Sequence, residues 1–224
     1  MIKIENTDVY GWEAAIRGMR SPMNSWDKSD SHQGCHLNNC DDCDEINWRD
    51  CHCYDSIFKI GANDLRLMTS LAKAGSDHGK FLRMINVTVD LIAPLYWWKE
   101  FDTYKVGTVA NSCSTMHKIQ AKEFTLDDFS HEHLHDEAYD TLTGVIYVLN
   151  DFRRRFIQHK DKSDWWQMIQ LLPTSYNQKR TVQLNYQVLK SMYFARKSHK
   201  LDEWREFCTW CETLPYFTEI CIQE

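Results

Sequence analysis

No stretch of this sequence approaches the ~20 consecutive apolar residues that a membrane-crossing helix needs. A basic excess is also missing: 26 Lys and Arg face 32 Asp and Glu, giving a net charge of -6. That balance argues against a protein that grips the nucleic-acid backbone along a positive face. It leaves room for one local basic pocket holding a small anionic ligand. Met1 to Glu5 is short and mixed in charge and does not read as a secretory leader, so the expectation is a soluble, cytoplasmic protein. No internal repeat and no dividing linker interrupts the 224 residues, which read as a single domain. Apolar and aromatic residues are plentiful, at 43% and 13%, enough for a sizeable core and against disorder. Nine cysteines in an intracellular chain read as free thiols or metal ligands rather than disulfides.

The periodicities predict an α+β fold, with an antiparallel sheet covered by long helices. Val9, Trp12, Ile16 and Met19 predict a helix over Thr7 to Arg20. Asn63 is a candidate N-cap for a helix using Leu65, Met68, Leu71 and Ala72, with Gly75 as its stop. From Leu82 to Ile92, Ile85, Val87, Val89 and Leu91 alternate with more polar residues, which predicts a strand with one buried face. Pro94 opens an aromatic helix containing Tyr96, Trp97, Trp98 and Phe101. Gly107 to Met116 reads as a loop. A long helix is predicted over Asp136 to His159, a second, beyond Pro173, over Lys179 to Ser198, and a last one over Leu201 to Leu214.

Residues from about 21 to 60 form a Cys/His-rich excursion without hydrophobic period. Cys40 and Cys43 have the two-residue spacer of a zinc knuckle, and Cys51 and Cys53 are candidates to complete a tetrahedral structural zinc site. The spacer between Cys51 and Cys53 is one residue short of a standard finger, and reduced thiols on a polar loop are the alternative. Cys208 and Cys211 repeat the CxxC spacing inside an apolar helical stripe, where cysteine behaves as a small buried hydrophobe. His131, His133 and His135 alternate in an acidic stretch that reads as a solvated loop.

Leu172-Pro173, followed by Asn185, Ser191 and Arg196, resembles the end of the flavin-dependent thymidylate synthases, where an Arg and a Leu-Pro pair precede a helix written N-x-x-x-x-x-N-F-x-x-x-R. Upstream, the strand Leu82 to Ile92, the segment Glu100 to Lys105 and the small polar residues of 106–115 follow the order of that family's strand, Q-x-x-R-H-R and Ser-rich loop. The resemblance spans about residues 63–214. It implies a ThyX-like fold, homotetramers with active sites between subunits, and chemistry using FAD, dUMP and methylenetetrahydrofolate. At matched positions the family's Arg-His-Arg becomes Thr103, Tyr104 and Lys105, and its preceding Gln becomes Glu100. Its loop Ser and later Arg fall on Cys113 and Thr115, its Arg before Leu-Pro on Ile169, and a His of its first motif on Arg83. The resemblance therefore assigns nucleotide binding to Arg196, Lys105, Ser112, Cys113 and Ser114, and flavin-side binding to Asn185. For Arg196 the alternative is an ion pair at a helix end, for Asn185 a structural hydrogen bond, and for Lys105 and the serines a polar loop.

Three functions compete. The chain is a ThyX-like protein that binds a nucleotide or other phosphorylated small molecule at a remodelled site; or it is an active FAD-dependent thymidylate synthase or related nucleotide-modifying enzyme; or it is a zinc-stapled interaction protein, or one that sequesters a nucleotide.

Overall fold

A computed structural model describes residues 1–35 and 56–222. Within them the chain follows the order β1 (Lys3–Tyr10), α1 (Trp12–Arg20), β2 (His32–Cys35), β3 (Ser56–Lys59), α2 (Ala62–Lys73), β4 (Asn86–Pro94), α3 (Leu95–Phe101) and β5 (Val109–Ser112). It continues through α4 (Thr115–Lys118), α5 (Asp136–His159), α6 (Lys162–Leu171), β6 (Asn177–Asn185), α7 (Tyr186–Arg196) and α8 (Asp202–Glu212). Four strands form one sheet in the order β1-β4-β6-β5, and β2 and β3 form an antiparallel hairpin. Among the described residues no helix is long and apolar enough to cross a membrane.

The residues gather into two compact units, each stitched from separated segments. The first comprises Met1–Asp8, Thr88–Leu184 and Ala195–Thr209, and the second Val9–Val87, Asn185–Phe194 and Trp210–Glu224. In the first unit, the sheet's buried positions are those the alternation of β4 dictates. Val89, Leu91 and Ala93 are buried, while Thr88, Asp90 and Ile92 are partly exposed. Trp97, Trp98 and Phe101 of α3 pack with Trp204 and Phe207 of α8; the Trp97 and Trp204 rings lie 4.7 Å apart. Fully burying each such large apolar side chain contributes roughly 1.5–3 kcal/mol. A second cluster under the α5–α6 hairpin uses Ile119, Phe124, Phe129, Leu142, Leu149 and Met168.

In the second unit, Trp12 packs edge-on against Tyr186, and Tyr186 against Phe217. Its electrostatic centre is the buried pair Arg20–Asp64, Nε to Oδ1 at 2.6 Å. Asp64 Oδ2 also accepts from the hydroxyls of Ser29 and Ser31 and from the backbone N–H groups of Asp30 and Ser31.

Several boundaries differ from the sequence expectation, each for a local reason. The helix over Thr7 to Arg20 is a strand followed by α1. Gly11 divides them at φ 95, close enough to Met84 that a Cβ would lie 2.1 Å from its carbonyl oxygen. The N-cap of α2 is Gly61, not Asn63. Its first N–H groups are taken by a distant carboxylate, Asp30, which accepts from Asn63 and Asp64 at 2.9 and 3.1 Å. Gly75, at φ 103, does follow the helix end as expected. The strand is Asn86–Pro94, its expected start lying in a 3-10 turn over Gly79–Arg83, and Pro94 caps α3 from outside. The loop over Gly107 to Met116 contains β5. The long helix Asp136–His159 has the expected bounds, ending where Lys160 turns left-handed at φ 58. The helix expected over Lys179 to Ser198 is strand β6 followed by α7, because 177–185 pairs into the sheet. The polar excursion begins and ends in a hairpin, Cys35 opposite Ser56. Cys40, Cys43, Cys51 and Cys53 lie outside the described residues.

Candidate functional site

Helix α3 advances about 100° per residue, so Trp97, Trp98 and Phe101 form its inner stripe and leave Glu100 and Asp102 on opposite flanks. Each of these carboxylates holds an arginine. On one flank Glu100 Oε2 accepts from Arg196 Nη1 at 2.8 Å and from the Trp204 indole at 3.0 Å, with His199 Nε2 at 3.4 Å. Arg196 Nε donates to the Tyr104 hydroxyl at 2.9 Å, and the guanidinium lies 4.8 Å from the Trp204 ring centroid. The Leu201 N–H donates to His199 Nδ1 at 3.2 Å, which fixes the tautomer with its proton on Nε2, facing Glu100. Beside this cluster opens a pocket of about 480 Å³ lined by Tyr96, Glu100, His199, Lys200 and Leu201. Tyr96 donates to Glu203; burial, followed by that carboxylate, pushes its phenol above the ordinary range.

On the other flank Asp102 Oδ1 accepts from Arg180 Nη1 at 2.8 Å. Arg180 Nε donates to Gln178 Oε1 at 3.0 Å, and its guanidinium stacks 4.2 Å from the Trp98 centroid. Gln178 is itself fixed: its Nε2 donates to the Cys113 carbonyl at 2.9 Å, and its own carbonyl accepts from the Trp98 indole at 2.9 Å. β5 and β6 are antiparallel with Ser112 opposite Arg180.

The sequence-assigned residues divide accordingly. Arg196 meets Glu100 and Tyr104, members of the very segment matched to Q-x-x-R-H-R. Lys105 is exposed beside them. Ser112 lies with Arg180. The Cys113 N–H donates to the Lys179 carbonyl and its thiol is exposed. Ser114 caps α4, accepting from the His117 N–H at 3.0 Å. Asn185 stands at the end of β6, its Oδ1 accepting from the Val188 N–H at 3.0 Å. Asn185 and Arg196 do not share a helical face, because the helix begins only at Tyr186.

Other candidates fall elsewhere. The Arg153 Nε donates to the Gln120 carbonyl, and Arg154 and Arg155 pair with Asp151. His131 contacts the Phe129 carbonyl, His133 pairs with Asp202 and His135 precedes α5, so the three histidines do not converge. Among the described residues no group of three or more His, Cys, Asp or Glu is placed to hold a metal. Cys208 and Cys211 are buried and form no disulfide.

The residues at the matched positions do not fit a flavin pyrophosphate. Thr103 donates its hydroxyl to the Glu100 carbonyl, Tyr104 is taken by Arg196, and Lys105 is the only cation of the triplet. Sequence reasoning missed Arg180, Trp204 and His199. Arg180 meets its carboxylate partner across 78 positions of chain and leaves no local motif.

No family model and no curated protein sequence matches the chain. Solved structures do. The thymidylate synthase ThyX from Helicobacter pylori with FAD and dUMP superposes with a TM-score of 0.66 at 13% identity, over 99% of this chain and 97% of that one. A second ThyX structure from that organism, complexed with FAD and dUMP, gives 0.65 at 14% identity, over 98% and 97%. The UMP/dUMP methylase PolB from Streptomyces cacaoi, bound with 5-Br dUMP, gives 0.58 at 13%, over 95% and 89%. At such identity the shared property is the fold: from end to end, this chain is built on the architecture of the thymidylate synthase ThyX.

Proposed function

We propose that this chain is a nucleotide-binding protein on a ThyX-like fold, with a remodelled site that does not sustain thymidylate synthesis. The observation that carries the reading is the Arg196 cluster. In a fold whose solved relatives hold dUMP or 5-Br dUMP, Arg196 lies against the 100–105 segment, stacked on Trp204 and paired with Glu100, which lines an open pocket. A guanidinium held on an aromatic face, with donors left over, suits a planar carbonyl-bearing ligand or an anion. The case against the original reaction is one of charge. The matched positions hold Thr103, Thr115 and Ile169 where cationic forks are needed, and each missing charge-assisted bond is worth roughly 1.5–3 kcal/mol.

Titration calorimetry with dUMP and UMP tests the reading. The full chain should bind at least one of them, and Arg196→Ala should lower that affinity roughly ten- to hundredfold while the circular dichroism spectrum is unchanged. Failure of the wild-type chain to bind either nucleotide would overturn it. Conversion of dUMP to dTMP in the presence of FAD, a reductant and methylenetetrahydrofolate, or a flavin absorption band in the purified protein, would establish the enzymatic alternative.

A further inference from the structure

We infer that Arg180 and Ser112 form an anion subsite for the phosphate of the bound nucleotide, and that Asp102 occupies this subsite when it is empty. The inference rests on the nucleotide-binding reading and names the group that would replace the cations missing at the matched positions.

Four observations carry it. Antiparallel register sets Ser112 opposite Arg180, which puts their side chains on one face of the sheet with Cβ atoms ~4.5–5.5 Å apart. The guanidinium is held in place before any ligand arrives. Nε is fixed by Gln178 and one face by Trp98, so little rotamer freedom remains to be lost on binding. Its donors are incompletely used: Nη2 donates to no group among the described residues, and neither does the Ser112 hydroxyl. Finally, its one charged partner among the described residues is exchangeable. The Arg180 side chain is 15% exposed, whereas Asp102 is 48% exposed at the end of α3. A carboxylate half in water can swing out and regain its hydration. A phosphate entering instead offers a doubly charged acceptor to Nη1, Nη2 and the Ser112 hydroxyl together.

A purely structural ion pair, tying α3 to β6, is the competing account, and it makes the opposite prediction for Asp102. If Asp102 is a competitor, Asp102→Asn removes its charge and strengthens phosphate binding. If Asp102 is only a tether, that substitution costs stability and gains nothing.

The test compares dUMP with deoxyuridine by calorimetry on the full-length wild type, Arg180→Gln, Arg180→Lys and Asp102→Asn, with folding checked by circular dichroism. Arg180→Gln should weaken dUMP about ten- to hundredfold and leave deoxyuridine unchanged. Arg180→Lys retains the charge without the fork and should fall between; it also serves if the Gln variant does not fold. Asp102→Asn should tighten dUMP several-fold and leave deoxyuridine unchanged. Equal dUMP affinity in wild type and both Arg180 variants would overturn the subsite while leaving nucleotide binding standing. Should the wild type bind no nucleotide, inorganic phosphate decides by 31P line broadening. Arg180-dependent broadening in Asp102→Asn sustains the subsite without the nucleotide, and its absence removes both.

Discussion

Among the described residues three arginine–carboxylate pairs join residues far apart in sequence, in comparable geometry, yet the two units use them differently. In the second unit, Arg20 and Asp64 are 5% and 0% exposed, and Asp64 collects donors from Ser29, Ser31 and two backbone N–H groups as well. That carboxylate is fully buried, so water does not reach it. In the first unit, Arg196–Glu100 and Arg180–Asp102 are 19% and 34%, and 15% and 48%, exposed, and in each the guanidinium retains an unused nitrogen among the described residues. Distance alone would rank the three alike. Access to water, and the further donors gathered on the carboxylate, separate a pair that fastens segments from one that can trade its partner.

The largest expected effect tests the fastening side. Asp64→Ala leaves the buried Arg20 charge without a partner, and breaking a buried pair from one side costs about 3–5 kcal/mol. It also frees the two serines that orient the chain ahead of the hairpin. Equilibrium urea denaturation should show a loss of that size; a loss under about 1 kcal/mol would break the distinction, since exposed pairs reach that value. The Asp64 carboxyl is held below the ordinary range: burial pushes it up, but the hydrogen bonds of Ser31, Ser29 and Arg20 and the Arg20 charge outweigh this.

A smaller effect bears on Asn185, assigned by resemblance to the flavin side and found capping α7. Loss of an N-cap costs ~1 kcal/mol. Asn185→Ala should lower stability by about that amount in the same denaturation assay and leave dUMP affinity unaltered. A stable variant with impaired nucleotide or flavin binding would return Asn185 to the site.

How much of this was legible in the sequence follows from which residues face inward. β4 announced itself because its inward positions, Val87, Val89 and Leu91, are apolar, and α5 because a long helix keeps its period and starts with Asp136 and Glu137 at its positive end. β6 was read as helix because its inward row is Gln178, Arg180, Val182 and Leu184. Two polar members of that row break the period-two pattern, and they are the residues that build the Asp102 flank. The feature that makes the segment interesting chemically is the one that hid its structure. β1 was missed because an edge strand with little buried surface carries almost no hydrophobic signal. Arg196 could be singled out because it sits in a motif. Arg180 could not, because its partners come from α3 and β5 through sheet register.

The smallest effect concerns a partly exposed ion network without a guanidinium fork, on the sheet's outer face. Asp90 of β4 accepts from Thr181 of β6 at 2.6 Å, from Asn6 of β1 at 2.9 Å and from Lys179 at 3.0 Å. Lys179 also reaches Glu5 at 3.1 Å. These donors, Thr181 foremost, hold the Asp90 carboxyl down at about 2. The sign follows from linkage. A carboxylate whose folded value lies below its unfolded value of ~3.9 contributes stability that is fully present above ~4 and is lost as pH falls toward 2. Lys179 is shifted the other way, raised first by Asp90 and then by Glu5, so its contribution is present at neutral pH and lost only in strong alkali. Asp90→Asn should therefore lower Tm at about pH 5, and the gap from wild type should close as the pH approaches 2. Thr181→Val should reproduce part of that pattern, since it removes the foremost donor and keeps the shape. A gap that stays constant between pH 5 and 2 would mean that Asp90 acts through packing alone. Partly exposed and held by several donors at once, this network would then belong with neither the fastening nor the exchangeable arginine pairs.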